Sequence, residues 1–318
     1  MSGRRVAITG GEGFIGAHLA RRLAEEGDEV HILSRPNPAR PWKLPDLLGV
    51  VARVHPVELL DRGRLGAIID TIAPEEVYHL AGRVDLERTA AMAQLCVQEN
   101  VVATVNLLDA LQAGPAGAVV YASTTEVYGA GPIPFREDQA VEPPSPYAVS
   151  KLAGESFCRL WATTFACPVR VVRMAAAYGP GQRPQRLIPS VIVTALRREP
   201  ITLRSPGHRR DFLYVSDAVD GLVRAARGGL APGETVNVGS LDAVGIREVV
   251  DMILARMGCK DVPVAIGDEG RIREAPCWTT DSARARARLG WAPRVPLGEG
   301  LDRTIAWYRR LAERGGAP

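Results

Sequence analysis

Eight residues, Thr9–Gly16 (TGGEGFIG), restrict the possible folds more than any other stretch of the sequence. They join a short β-branched run, RVAIT, directly to an amphipathic run, FIGAHLARRLAEEG. Glycines at this spacing suit a strand that turns tightly into a helix. Gly10 allows the turn, Gly13 lets the backbone approach a ligand, and Gly16 lets the helix pack closely on the sheet. Such a triplet also serves a plain strand-to-helix turn. Here both flanking elements are well formed, and the helix N-terminus starting at Phe14 and Ile15 offers aligned N–H donors to a pyrophosphate. A dinucleotide site is the favoured reading.

The same alternation continues along the chain. EVHIL, EVYHLA, AVVYAS and VRVVRM read as strands, with helical patterns between the earlier ones. In NVVATVNLLDALQAG the helical period puts Val101, Val105, Leu108 and Leu111 on one face, and Gly114–Pro115 ends the run. Strand and helix in turn predict an α/β protein with a Rossmann-type, doubly wound parallel sheet. At 318 residues the chain exceeds what one core usually serves. We expect a dinucleotide-binding domain over 1–174, with returns near 208–240 and 278–290. A smaller C-terminal substrate lobe is expected over 175–318, where Pro-, Gly- and Arg-rich connections dominate, and the lobe is interleaved with those returns.

Composition excludes several classes. A formal net charge of +3 with scattered arginines does not make a nucleic-acid surface. Five cysteines form no CxxC pair and none stands at metal-ligand spacing from a histidine, so reduced thiols and no metal are expected. No secretory pattern or bilayer-length apolar run is present, which predicts a cytoplasmic protein without a membrane partner.

The end of the second strand should lie beside the adenosine ribose, where a carboxylate would bind the 2′-hydroxyl. Ser34 and Arg35 stand there instead. A hydroxyl with a guanidinium suits a phosphate, so NADP is preferred over NAD, although Arg35 could simply face solvent. Glu58 is a candidate acceptor for the adenine amino group, or an ordinary exposed glutamate. Further on, SPYAVSK sets Tyr147 and Lys151 four apart, on one face of a helix introduced by Ser145 and Pro146. An ammonium beside a phenol favours the phenolate and makes an acid/base pair.

Taken together, TGGEGFIG, YHLAG, STTEVYG, SPYAVSK, AAYGPG, RRDFLYVSD and LGWAP resemble, in order, the extended short-chain dehydrogenase/reductase family and its nucleotide-sugar epimerases and dehydratases. The resemblance implies a nucleotide-diphosphate sugar as substrate and a homodimer paired through helices near 95–113 and 147–165. It implies that Leu59, Leu80, Ala81 and Gly82 line the cofactor, that Tyr147 is the base, and that Lys151 is its electrostatic partner and a ribose ligand. Thr124 would bind the reacting sugar oxygen. Arg210 would grip the diphosphate, with Arg186 and Arg271 as further anion contacts.

The implied reaction begins with oxidation at C4 of the sugar. Thr124-Thr125-Glu126 resembles the dehydratase arrangement of threonine, an acid and glutamate, and assigns Glu126 as the base for the C5 proton. Thr125 is a weaker acid than that arrangement calls for. RPQRLIPSVIVTALRREPITL also resembles the dehydratase version, whereas Ala176 replaces an asparagine that contacts substrate in much of the family. The expectation is a 4,6-dehydratase. The alternatives are a 4-epimerase or 4-ketoreductase, then a decarboxylase of a nucleotide-linked uronic acid, and, outside enzymes, a dinucleotide-sensing binding protein.

Overall fold

A computed structural model of the protein describes residues 3–35, 52–85, 87–112, 114–267 and 275–314. Its central strands are β1 (Arg5–Thr9), β2 (Glu29–Ser34), β3 (Ala52–Pro56), β4 (Glu76–His79), β5 (Ala118–Thr124) and β6 (Val169–Met174). Three short strands, β7 (Ala176–Tyr178), β8 (Ile201–Leu203) and β9 (Arg209–Tyr214), precede β10 (Thr235–Val238), which returns to the same sheet; β11 (Ala243–Gly245) and β12 (Val264–Ile266) come after it. The seven-stranded sheet is parallel throughout, in the order β10-β6-β5-β4-β1-β2-β3. From β1 the chain moves outward to β2 and β3, then crosses back to β4 on the other side of β1. The crevice at the carboxyl ends of β1 and β4 is therefore the switch point, where open α/β sheets take their ligands.

Alternation along each strand covers both faces. Val6 and Ile8 pack with Leu19 and Leu23 of α1 (Phe14–Glu25) and Leu222 of α7 (Val215–Arg227). Ala7 faces the opposite way, into a cluster containing Leu65 of α2 (Arg62–Ile72), Leu107 and Leu108 of α4 (Ala103–Ala110), and Cys158 of α5 (Pro146–Thr164). Each fully buried aliphatic side chain contributes roughly 1.5–3 kcal/mol. The doubly wound parallel sheet read from the sequence is the observed fold.

A separate core joins α6 (Leu187–Leu196), α8 (Ile246–Met257) and α10 (Leu297–Glu313), with the two-stranded sheet β12-β8 and the three-stranded sheet β11-β9-β7 beside them. Meanwhile α7, β10, Ala285 and Leu289 of α9 (Ala283–Leu289), and Trp291 pack with the first core.

One helix departs from its expected phase. α3 (Ala90–Cys96) runs through a π turn, Val97–Val102, into α4. The wider turn rotates α4 about its axis relative to an unbroken α-helix. Ala103, Thr104, Leu107, Leu108 and Leu111 are buried, while Val101 and Val105 are only half-buried. All five cysteines are free, and four are buried. Among the described residues no helix is long and apolar enough to cross a membrane, and no group of side chains is arranged to hold a metal.

Candidate active site

The glycine turn sits at the switch point. Gly10 has φ +70°, and a Cβ there would lie 2.8 Å from the Ala81 backbone nitrogen, so this crossing of β1 and β4 requires glycine. A Cβ on Gly16 would lie 2.3 Å from the Gly10 carbonyl oxygen. Gly13 caps α1 with no side-chain acceptor and no acid in the first turn, which leaves the N–H groups of that turn, Phe14 and Ile15 included, for an anion. After β4, Leu80 and Ala81 are tied to Thr9 by backbone and hydroxyl bonds of 3.2 Å. Gly82 comes next, and a Cβ on it would fall 2.9 Å from Asn100 Oδ1 and 3.5 Å from Lys151 Nζ. A bare backbone cradle with a lysine at its edge fits a dinucleotide.

Ser34 and Arg35, expected beside the adenosine ribose, lie at the end of β2 among carboxylates. Ser34 donates its hydroxyl proton to the Glu12 carboxylate. Arg35 donates to Glu99 at 2.6 Å, and its Nε stands 4.0 Å from the exposed Glu58. The hydroxyl and guanidinium expected to receive a phosphate are thus engaged by carboxylates. Leu59 uses its carbonyl to accept from Asn106 at 2.9 Å.

Helix α5 carries the proposed acid/base pair. Ser145 is its N-cap, accepting from Ala148 N at 3.1 Å, and Pro146 opens the first turn. The same hydroxyl donates to Glu126. One cap therefore fixes both the helix and the carboxylate facing it. Tyr147 is buried with Met92 and Cys96. Burial pushes its phenol above the ordinary value and the nearby Glu126 charge pushes it further, opposed by a hydrogen bond from Thr124 and by the positive charge of Arg186. Lys151 points beneath the site, donating to the Ala122 carbonyl at 2.8 Å with its nitrogen 4.8 Å from the Tyr121 ring centre. Burial lowers its ammonium to about 8.

Thr124 ends β5 and accepts from Glu126 N at 3.1 Å, turning the chain into a 3-10 turn, Thr125–Tyr128. Thr125 and Glu126 are both buried within it. Tyr147, Thr124, Glu126 and Arg186 thus meet in one place. Arg186 reaches it from the N-cap of α6, donating to the Val84 carbonyl at 3.1 Å. The Arg210 guanidinium lies 4.5 Å from the Trp278 ring and donates to the carbonyls of Arg209 and Ala275. Arg271 lies outside the described residues. Ala176 is exposed on β7.

Sequence reasoning passed over Glu12, Glu99 and Asn100. Glu12 was legible, as an acid between two glycines of the turn. Asn100 and its neighbour Glu99 find partners 17 and 16 residues away, at Arg83, and no local spacing announces that.

This combination defines a nucleotide-binding α/β enzyme of the dehydrogenase type. A family model described as the NAD dependent epimerase/dehydratase family matches residues 6–239, and the chain belongs to that family. It is 31% identical to the UDP-glucose 4-epimerase of Mycolicibacterium smegmatis, covering 97% of this chain and 100% of the relative. It is also 31% identical to a UDP-N-acetyl-alpha-D-glucosaminuronate decarboxylase of Bacillus cytotoxicus, over 97% and 98% of the two chains. Among solved structures, the dTDP-glucose 4,6-dehydratase DesIV of Streptomyces venezuelae, solved with bound NAD, superposes with a TM-score of 0.88 at 28% identity over 98% of each chain. These relatives are named for three different reactions.

Proposed function

We infer that the protein oxidises C4 of a hexose carried on a nucleoside diphosphate, eliminates water across C5 and C6, and returns the hydride to C6 and a proton to C5, so that the net change is loss of water. The observation that carries this reading is the buried Glu126 carboxylate, held by Ser145 and close enough for its charge to act on Tyr147. A plain 4-epimerisation needs no second base; removal of a C5 proton does. A nicotinamide dinucleotide in the glycine cradle supplies the reversible two-electron oxidation of C4.

Thr124 orients the C4 oxygen, and Tyr147 takes its proton. Burial makes the phenol hold this proton once taken, and the Thr124 hydrogen bond and the Arg186 charge favour the phenolate that takes it up. Glu126 then takes the C5 proton, acidified by the adjoining ketone. Thr125 relays a proton to the departing C6 hydroxyl.

A second reading has one observation of its own. The Arg186 guanidinium acts on Tyr147, so a cation stands where a sugar carboxylate could be gripped. That favours a uronic acid substrate and decarboxylation, for which Thr125 need not be an acid; the decarboxylase among the relatives agrees with it.

Incubating the protein with a panel of nucleotide sugars and weighing the products separates the readings. Loss of water from a neutral hexose, abolished in Glu126→Gln, is expected. Loss of carbon dioxide from a uronate overturns dehydration in favour of the second reading, and unchanged mass with altered C4 stereochemistry leaves an epimerase. Dinucleotide binding with no turnover of any nucleotide sugar would make the fold a dinucleotide sensor, and undiminished turnover in Tyr147→Phe would remove Tyr147 as the base.

Leu95 and Val97 on the 90–110 helix and Val149, Leu160 and Phe165 on or just beyond α5 are exposed. These apolar side chains, on helices adjacent in the fold, support pairing of two copies into a homodimer.

A further inference from the structure

The second strand ends on a hydroxyl, and the carboxylate expected there comes from another part of the chain. Glu12, between Gly11 and Gly13, accepts the Ser34 proton on Oε2, and its Oε1 takes no hydrogen bond among the described residues. Ser34 is buried and has its one proton committed, so it has none to give a phosphate. Arg35 is drawn away to Glu99, which also accepts from Arg83 at 2.7 Å. Around this strand end stand three carboxylates, Glu12, Glu58 and Glu99, and two guanidiniums, Arg35 and Arg83. The local balance is one negative charge before any cofactor arrives.

The geometry points to Glu12 as the residue that selects NAD over NADP, its free oxygen accepting from the adenosine ribose and its charge repelling a 2′-phosphate. The glycine turn, not the strand end, carries the discriminating acid. This rests on the dinucleotide reading of the site. A ribose hydroxyl is a donor and satisfies a carboxylate; a phosphate dianion offers only acceptors and adds repulsion in a half-buried setting. Glu99 completes the effect by occupying the strand-end guanidinium that could have compensated.

The test is equilibrium binding of NADH and NADPH to the full-length protein, followed by nicotinamide fluorescence. Wild type is expected to bind NADH at least roughly ten-fold more tightly, and Glu12→Gln to bring the two within about three-fold, chiefly by strengthening NADPH. A Glu12→Ser/Ser34→Asp double variant, which moves the acid to the strand end, should restore the preference and show that charge placement, not folding of the turn, is responsible. Equal or tighter NADPH binding by wild type overturns the assignment, as does an unchanged ratio in Glu12→Gln. If wild type binds neither dinucleotide, the reading of the cradle itself fails, and that result is distinct from an unaltered ratio.

Discussion

The side-chain amide of Asn100 binds both backbone groups of Arg83, accepting from its N–H at 2.6 Å and donating to its carbonyl at 3.1 Å. Its second proton goes to Ser150 Oγ at 2.8 Å, and Ser150 in turn donates to the Tyr147 carbonyl at 2.7 Å. One buried residue thus fastens the loop after β4 to the helix that carries Tyr147 and Lys151. Asn100→Ala strands one buried and two part-buried partners, and a loss of about 2–4 kcal/mol is expected in urea unfolding. Dinucleotide affinity should fall with it, because Gly82 sits in that loop. A variant of wild-type stability and affinity would show that the clamp is redundant.

Beneath the 3-10 turn of Thr125–Tyr128 lies a buried ion pair. Arg173 on β6 donates twice to Glu155 on α5, at 2.9 and 2.6 Å, and once to the Tyr128 hydroxyl at 2.9 Å. Glu155 also accepts from Ser123 at 2.6 Å, so the last residues of β5 and the turn after them rest on this pair. Removing one partner leaves the other charge buried. Arg173→Met should cost about 3–5 kcal/mol, whereas Arg173→Met combined with Glu155→Leu should cost clearly less than the sum of the two single changes. A double-variant cycle in urea measures this; strict additivity would contradict it.

Strand-to-helix order, the parallel sheet and the glycine cradle could be read from sequence because each depends on local period and a few special residues. RVAIT, VRVVRM and the helix introduced by Ser145 and Pro146 fall where their patterns place them. The 90–110 helix does not, since a π turn shifts the phase by an amount no 3.6-residue period contains. Gly154 gives no local signal either. It is one glycine inside a helix until the fold brings Tyr121 so near that a Cβ would lie 2.2 Å from the hydroxyl. The same limit applied at the cofactor site: Ser34 and Arg35 taken alone read as a phosphate grip, and only distant residues, Glu12 and Glu99, show what holds them.

The exposed apolar residues on the 90–110 helix and around α5 bear on assembly. Leu160 is 47% exposed on α5, and a charge there would face the partner across a paired surface. Leu160→Arg should convert a dimer to a monomer in light scattering while leaving the circular dichroism spectrum unchanged. A wild-type protein already monomeric at micromolar concentration would remove the dimer proposal.

His79, at the end of β4, meets Thr9 Oγ1 with Nδ1 at 2.7 Å and Thr104 Oγ1 with Nε2 at 2.9 Å. The Thr104 proton is given to the Asn100 carbonyl, so Nε2 is the donor and Nδ1 accepts from Thr9. Burial, helped by the Lys151 charge, lowers the ring from 6.5 to about 3, and it is neutral at pH 7. Between those two values the unfolded chain holds a proton that the folded one does not, so stability is complete above 6.5 and falls as the pH drops toward 3. At about 1.4 kcal/mol per pH unit, His79 alone should account for a loss of roughly 3 kcal/mol between about pH 7 and about pH 4.5. Urea unfolding at those two pH values should find wild type losing that much more than His79→Gln, which keeps a polar group in place but cannot take up a proton in this range. Equal losses in the two proteins would place the acid sensitivity elsewhere, and the buried ring would then have no part in it.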